Sequence, residues 1–210
     1  MGVPEIVSLI KDISSIISGT ILIVIAIMGL QTWKRQLKGN TEYELARRFL
    51  SAVYKIRDAI SYIRNPFVSA GEISSALQEA NIEIDKSDSE YQVKKQNALY
   101  QKRWKKIQEA LSEYNLVIFE VEVLWGKEIR ETIKPLWNCI SDLHLEIQRM
   151  LTKLNQEFPE ELNDNEDRRR NDIIYSFDNL VSDDTDNQYS KEIINAINTI
   201  EEYVKPRIKL

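Results

Sequence analysis

The run Ile13 to Leu30, ISSIISGTILIVIAIMGL, holds 18 residues and no charge. A helix of that length rises about 27 Å, and one extended to Trp33 about 31 Å, which is the thickness of a hydrocarbon core. One transmembrane helix, spanning residues 13–33, is the direct expectation. A signal peptide would want a basic start, a shorter apolar run and a small-residue cleavage site. Here the start mixes Glu5, Lys11 and Asp12, and the run closes on Trp33, Lys34, Arg35 and Lys38. That aromatic and basic flank also argues against the buried helix of a soluble core.

Lys and Arg near a span decide its orientation. Lys34, Arg35 and Lys38 outweigh the N-terminal side, so residues 1–38 read as a membrane segment with a basic cytoplasmic flank. Trp33, Lys34, Arg35 and Lys38 are its expected anchor. The N-terminus is expected outside the cell membrane and the remainder in the cytoplasm. Cys139, the only cysteine, is then a thiol in a reducing compartment. Along the first half of the span Lys11, Ser15 and Gly19 step by four, with Ser14 and Ser18 beside them. Such a face of small and hydroxyl residues suits close helix contact, hence self-association or the lining of a pore. The plainer alternative is hydroxyls bonding the carbonyls of their own helix.

Four of the six glycines precede residue 40, leaving Gly71 and Gly126 to the rest. A β-rich body needs more turn glycine than that, so residues 41–208 are expected to be all-α, a bundle of about four long helices. Thr41-Glu42-Tyr43-Glu44 reads as a capping box opening a helix over 42–64, with Phe49, Val53, Ile56, Ile60 and Ile63 on one face and Asn65-Pro66 as its stop. Residues 71–80 can form a short helix. Ser87-Asp88-Ser89-Glu90 reads as a second capping box before a helix ending near Gly126, whose seam is Tyr100, Trp104, Ile107, Leu111, Tyr114, Ile118 and Val121. Ile129, Ile133, Leu136, Ile140, Leu143, Ile147, Met150 and Leu154 give the most regular series, with Pro135 expected to kink it or mark its start. Residues 159–187 are expected to be two loops around a short apolar element. Ser190 is the expected cap of a last helix carrying Ile193, Ile197, Ile200 and Val204 and stopping at Lys205-Pro206.

The inventory for catalysis is thin. His144 is the only histidine and has no acidic residue three or four positions away, so a structural role is expected. One Cys and one His cannot furnish a zinc site, and no phosphate loop, dinucleotide fingerprint or nucleophile elbow occurs. Asp183, Asp184 and Asp186 lack calcium-loop spacing. No cofactor and no enzymatic activity are expected. Lys94, Lys95, Lys102, Arg103, Lys105 and Lys106 form a run without acids, and Lys102, Arg103, Lys105 and Lys106 are its candidate contacts to nucleic acid or anionic headgroups. The competing reading is a solvated basic face on a chain of net charge −5. Arg168, Arg169 and Arg170 are expected to pair locally with Glu166, Asp167 and Asp172.

Residues 32–67, TWKRQLKGNTEYELARRFLSAVYKIRDAISYIRNPF, and the tail NDIIYSF…YSKEIINAINTIEEYVKP resemble a recurrent pattern in uncharacterised bacterial proteins with one N-terminal membrane helix and a cytoplasmic helical domain. Trp33, Leu37, Arg47, Arg57, Arg64, Asn65 and Pro66 carry the likeness, which implies an anchor, cap-proximal contacts and a helix stop, and brings no enzymatic motif. The layout also resembles, in architecture, the membrane accessory protein of type VI-B CRISPR systems, which implies oligomeric membrane assemblies in phage defence. Small helical RNases of the HEPN type share the size and class, but carry an arginine one to two turns ahead of a histidine. Trp137, Asn138 and Cys139 occupy those positions before His144. The expectation is therefore a non-enzymatic inner-membrane protein whose bundle binds itself or a protein partner. The alternative is an oligomeric pore or effector in anti-phage defence.

Overall fold

Apolar residues at helical spacing, few glycines and well-marked stops leave this chain little choice but helices. The computed structural model describes residues 2–83, 90–154, 164–181 and 185–208. Among them are six helices and no strand: α1 (Val3–Arg64), α2 (Ala70–Glu79), α3 (Tyr91–Trp125), α4 (Ile129–Leu154), α5 (Asp164–Ile174) and α6 (Gln188–Ile208). The chain divides into two units, Met1–Glu44 and Leu45–Lys209.

The first unit is the N-terminal part of α1. The expected helix start at Thr41 is corrected, because α1 runs through it. Instead of capping, the Thr41 hydroxyl donates to the Leu37 carbonyl at 2.9 Å, and Lys38 and Glu42 pair at 3.8 Å along the helix. A helix interior has no open amide donors for a capping box to satisfy, so the Thr-Glu spacing is spent on helix-surface contacts.

In the second unit the last part of α1 buries Leu45, Ala46, Phe49, Val53, Ile56, Ile60 and Ile63 in one core with residues of α3 to α6. α4 packs on α3, α5 and α6, and α2 lies on α3. Phe49 meets the rings of Tyr114 at 6.0 Å and Trp125 at 5.9 Å. α1 stops at Arg64, where the Asn65 side chain accepts a bond from the Phe67 amide at 2.9 Å and Pro66 offers no donor. α3 ends at Gly126, whose φ of 89° lies in the region that disfavours side chains. In α4 the seam drifts: Met150 is half-buried and Leu154 exposed, while Leu151 is buried. A straight helix repeats every 3.6 residues and falls behind a strict seven-residue series by about 20° per heptad.

Three further expectations change. A helix, α5, stands where a short apolar element between loops was expected. Within its basic run Arg170 keeps the expected local pair with Asp167 at 3.7 Å, and the run also reaches other helices, Arg170 to Glu146 at 3.2 Å and Arg169 to Glu192 at 4.0 Å, while Ile173 and Ile174 enter the core. Asn187 rather than Ser190 caps α6: its side-chain oxygen accepts from the Ser190 amide at 2.8 Å. α6 also continues through Pro206 to Ile208, its last turn covered by the Arg207 guanidinium over Trp125 and Tyr203 at 4.7 and 4.3 Å. Of the second capping box, Ser87, Asp88 and Ser89 lie outside the described residues, and Glu90 pairs with Lys94 at 3.2 Å.

Candidate functional site

Among the described residues one helix is long and apolar enough to cross a membrane, near the N-terminus. Eleven large apolar side chains from Ile17 to Leu37 are each at least half exposed, Trp33 at 62%. Lys34, Arg35 and Lys38 are exposed beside them, as is Ser18. Gly19 has open space where a Cβ would stand, so the helix offers a shallow notch there. The side chains of Lys11, Ser14 and Ser15 lie outside the described residues.

The basic run of α3 is built differently from the expected contact face. Arg103 is 2% exposed, and its five N–H donors are all used. Nε and Nη2 donate to the Glu72 carboxylate at 2.7 and 3.1 Å. The remaining bonds go to the carbonyls of Ile63, Asn65 and Phe67. Ile63 lies in the last turn of α1, where a helix leaves acceptors without partners and a cation is favoured, and Asn65 and Phe67 follow directly after it. Arg103 is thus withdrawn from the candidate anion contacts; it is a lock between α1, α2 and α3. The Arg103 hydrogen bond is the chief reason the Glu72 carboxyl is held below its ordinary range, against the opposing pull of burial.

Lys102 and Lys105 share Glu79 at 2.7 and 3.1 Å, and Lys106 meets Glu109 at 3.1 Å. Hydrogen bonds from Lys102 and then Lys105 bring the Glu79 carboxyl down to about 2. Each of the three lysines retained as candidate contacts is therefore offset by a carboxylate within reach, which weakens their common field toward an anion.

Arg64 repeats the device at the C-terminal end of α5. It is buried and donates to the terminal carbonyls of Ile173 at 2.9 Å and Asp172 at 2.7 Å, to Ser190 Oγ at 3.1 Å and to the capping Asn187 side chain at 3.1 Å. Its face lies 4.9 Å from the Tyr189 ring. One arginine so joins the ends of α1, α5 and α6. Burial lowers its pKa, which in an arginine leaves the charge in place.

His144 lies against Trp104, with ring centroids 4.5 Å apart, in a groove of about 280 Å³ between α3 and α4 that Tyr100, Gln108, Gln148 and Leu151 also line. The buried Nδ1 has no hydrogen-bond partner among the described residues. No carboxylate lines this groove, so the imidazole has no acidic partner there to orient it. Cys139 is buried, and desolvation drives its thiol up to about 12, far from a reactive thiolate. Among the described residues no three His, Cys, Asp or Glu side chains could hold a metal ion together.

One surface escaped the sequence reading. α3 turns Tyr114, Val117, Ile118 and Val121 into the core, yet on the opposite side Leu116, Phe119 and Val123 stand 73, 63 and 83% exposed. The signal was present in the run Leu116 to Trp125, LVIFEVEVLW, too apolar for a helix with a single buried face.

No family model, no curated protein and no solved structure matches this chain.

Proposed function

We propose that this is a non-enzymatic single-pass membrane protein whose cytoplasmic helical bundle mediates self-association or partner binding. The observation that carries the reading is the exposure of the apolar part of α1 from Ile17 to Leu37. Leaving a large apolar side chain in water rather than burying it costs about 1.5–3 kcal/mol, so eleven amount to roughly 20 kcal/mol. That exceeds the roughly 5–15 kcal/mol by which whole domains are stable. A bilayer removes this cost, and Trp33 with Lys34, Arg35 and Lys38 supplies the interfacial residues such a span needs on its cytoplasmic side.

The test is membrane fractionation of cells making the full chain, followed by an alkaline carbonate wash. The protein should stay in the pellet through the wash, and replacing Ile21, Ile23 and Ile25 with aspartate should release it. A chain that leaves with the peripheral proteins has no spanning helix. The pore reading makes an added demand, dissipation of the membrane potential on expression, which a potential-sensitive dye reads; a steady signal with and without phage removes it.

A further inference from the structure

The outward side of α3 carries an exposed apolar stripe. Leu116, Phe119 and Val123 follow a three-then-four spacing, the seam of helix pairing, with the small Ser112 one turn before and Gly126 one turn after. The three side chains together expose on the order of 400 Å² of apolar surface, within the size of patch that marks an interaction site. This is the reverse of a solvated face, and it belongs to a helix whose other side already fills the core.

We propose that this stripe is a homotypic interface, on which two copies of the chain pair α3 against α3 across a two-fold axis. The inference rests on the reading of the chain as membrane-anchored, and names the surface through which it self-associates. Three observations select a second copy as the occupant. The spacing fits the seam of a partner helix, and the charges beside the stripe, each acid matched by a base, leave no net positive field to hold anionic headgroups. Those acids are also neutralised within their own chain: Glu113 by Lys55, Glu120 by Arg48, and Glu122 by Arg130 at 2.7 Å. A two-fold contact places like residues near one another, and a rim already composed of ion pairs removes the repulsion that unpaired acids would cause. Finally, the patch is about half of the roughly 800 Å² per partner that a stable complex of free proteins buries. A common bilayer supplies what is missing, since tethering copies to one surface raises their effective concentration.

The experiment uses the full chain in its native membrane, with Cys139→Ser as background and one cysteine at Val123 or, for comparison, at Leu145, which is exposed on α4. Mild oxidation should link Val123→Cys into a dimer of twice the chain mass and leave Leu145→Cys monomeric. Adding Phe119→Glu to Val123→Cys should abolish the link while the protein still resists the carbonate wash. Absence of the Val123 link, equal linking at both positions, or a link to a species of another mass would each overturn the proposal. Release of the chain by the carbonate wash would instead overturn the membrane reading, so the two failures are distinct.

Discussion

Replacing Arg103 by methionine keeps most of the side chain's bulk and removes all five of its donors. The carbonyls of Ile63, Asn65 and Phe67 and the Glu72 carboxylate then lose their common partner. An unmet buried acceptor costs about 1–3 kcal/mol, and stripping one member from a buried ion pair about 3–5 kcal/mol. Glu72 keeps some contact with solvent and a bond from Tyr62 at 3.0 Å, so the separate costs do not add in full; about 3–5 kcal/mol is the expected loss. For a chain of this length each kcal/mol moves the melting temperature by about 2–4 °C, so a drop on the order of 10 °C should follow. The assay is thermal unfolding of the full chain in detergent by near-ultraviolet circular dichroism, which reports the packing of Trp104, Trp125 and Trp137. The ion pair also fixes a sign with pH. Because the folded-state pKa of Glu72 is depressed, its contribution is complete above the unfolded value near ~4.3 and is lost as pH falls through the folded value. Arg103→Met should flatten that acid limb. A melting temperature within about 3 °C of the parent, or an unchanged acid limb, would refute the assignment of Arg103 as a lock.

Cys139 should resist thiol reagents in the folded chain and react fully once unfolded, as a thiol-specific chromophore reads; fast reaction under native conditions would contradict its burial. Gly126→Ala should lower stability by about 1–3 kcal/mol because of the positive φ alone, seen as an earlier denaturation midpoint, since open space surrounds the position. Charge reversal of Lys102, Lys105 and Lys106 should leave retention on an RNA column unchanged at physiological salt, because each lysine already has an acidic neighbour; retention that the reversal abolishes would restore the nucleic-acid reading.

Where one face of a helix meets one core, the spacing identifies the buried side, except where the α4 seam drifts at Met150 and Leu154. The seam residues of α1 from Phe49 onward and of α6 from Ile193 onward are buried as their spacing requires, and Asn65-Pro66 and Gly126 stop helices where they should. Local signals misled where their context was not local. Thr41-Glu44 has the spacing of a cap but lies in mid-helix, and Ser190 stands three residues inside a cap that Asn187 provides. α5 has so few apolar residues that no periodicity shows; Ile173, Ile174 and the reach of Arg170 to Glu146 are tertiary facts. The two buried arginines are illegible for the same reason. Arg103 looks like one more charge in a basic run, and only the return of α1's end to the side of α3 reveals five acceptors waiting for it. The outward stripe of α3 is legible in the sequence only when that helix is allowed two apolar faces, since its core seam alone accounts for Tyr114, Ile118 and Val121.

A single span with a cytoplasmic bundle requires the N-terminus and the bundle to lie on opposite sides of the membrane. In a Cys139→Ser background, Gly2→Cys should be labelled in intact cells by a maleimide that cannot cross the inner membrane. Lys127→Cys, exposed on the bundle, should be labelled only after that membrane is opened. Labelling of Lys127→Cys in intact cells, or equal labelling of both positions, would contradict a single span with the bundle on the cytoplasmic side.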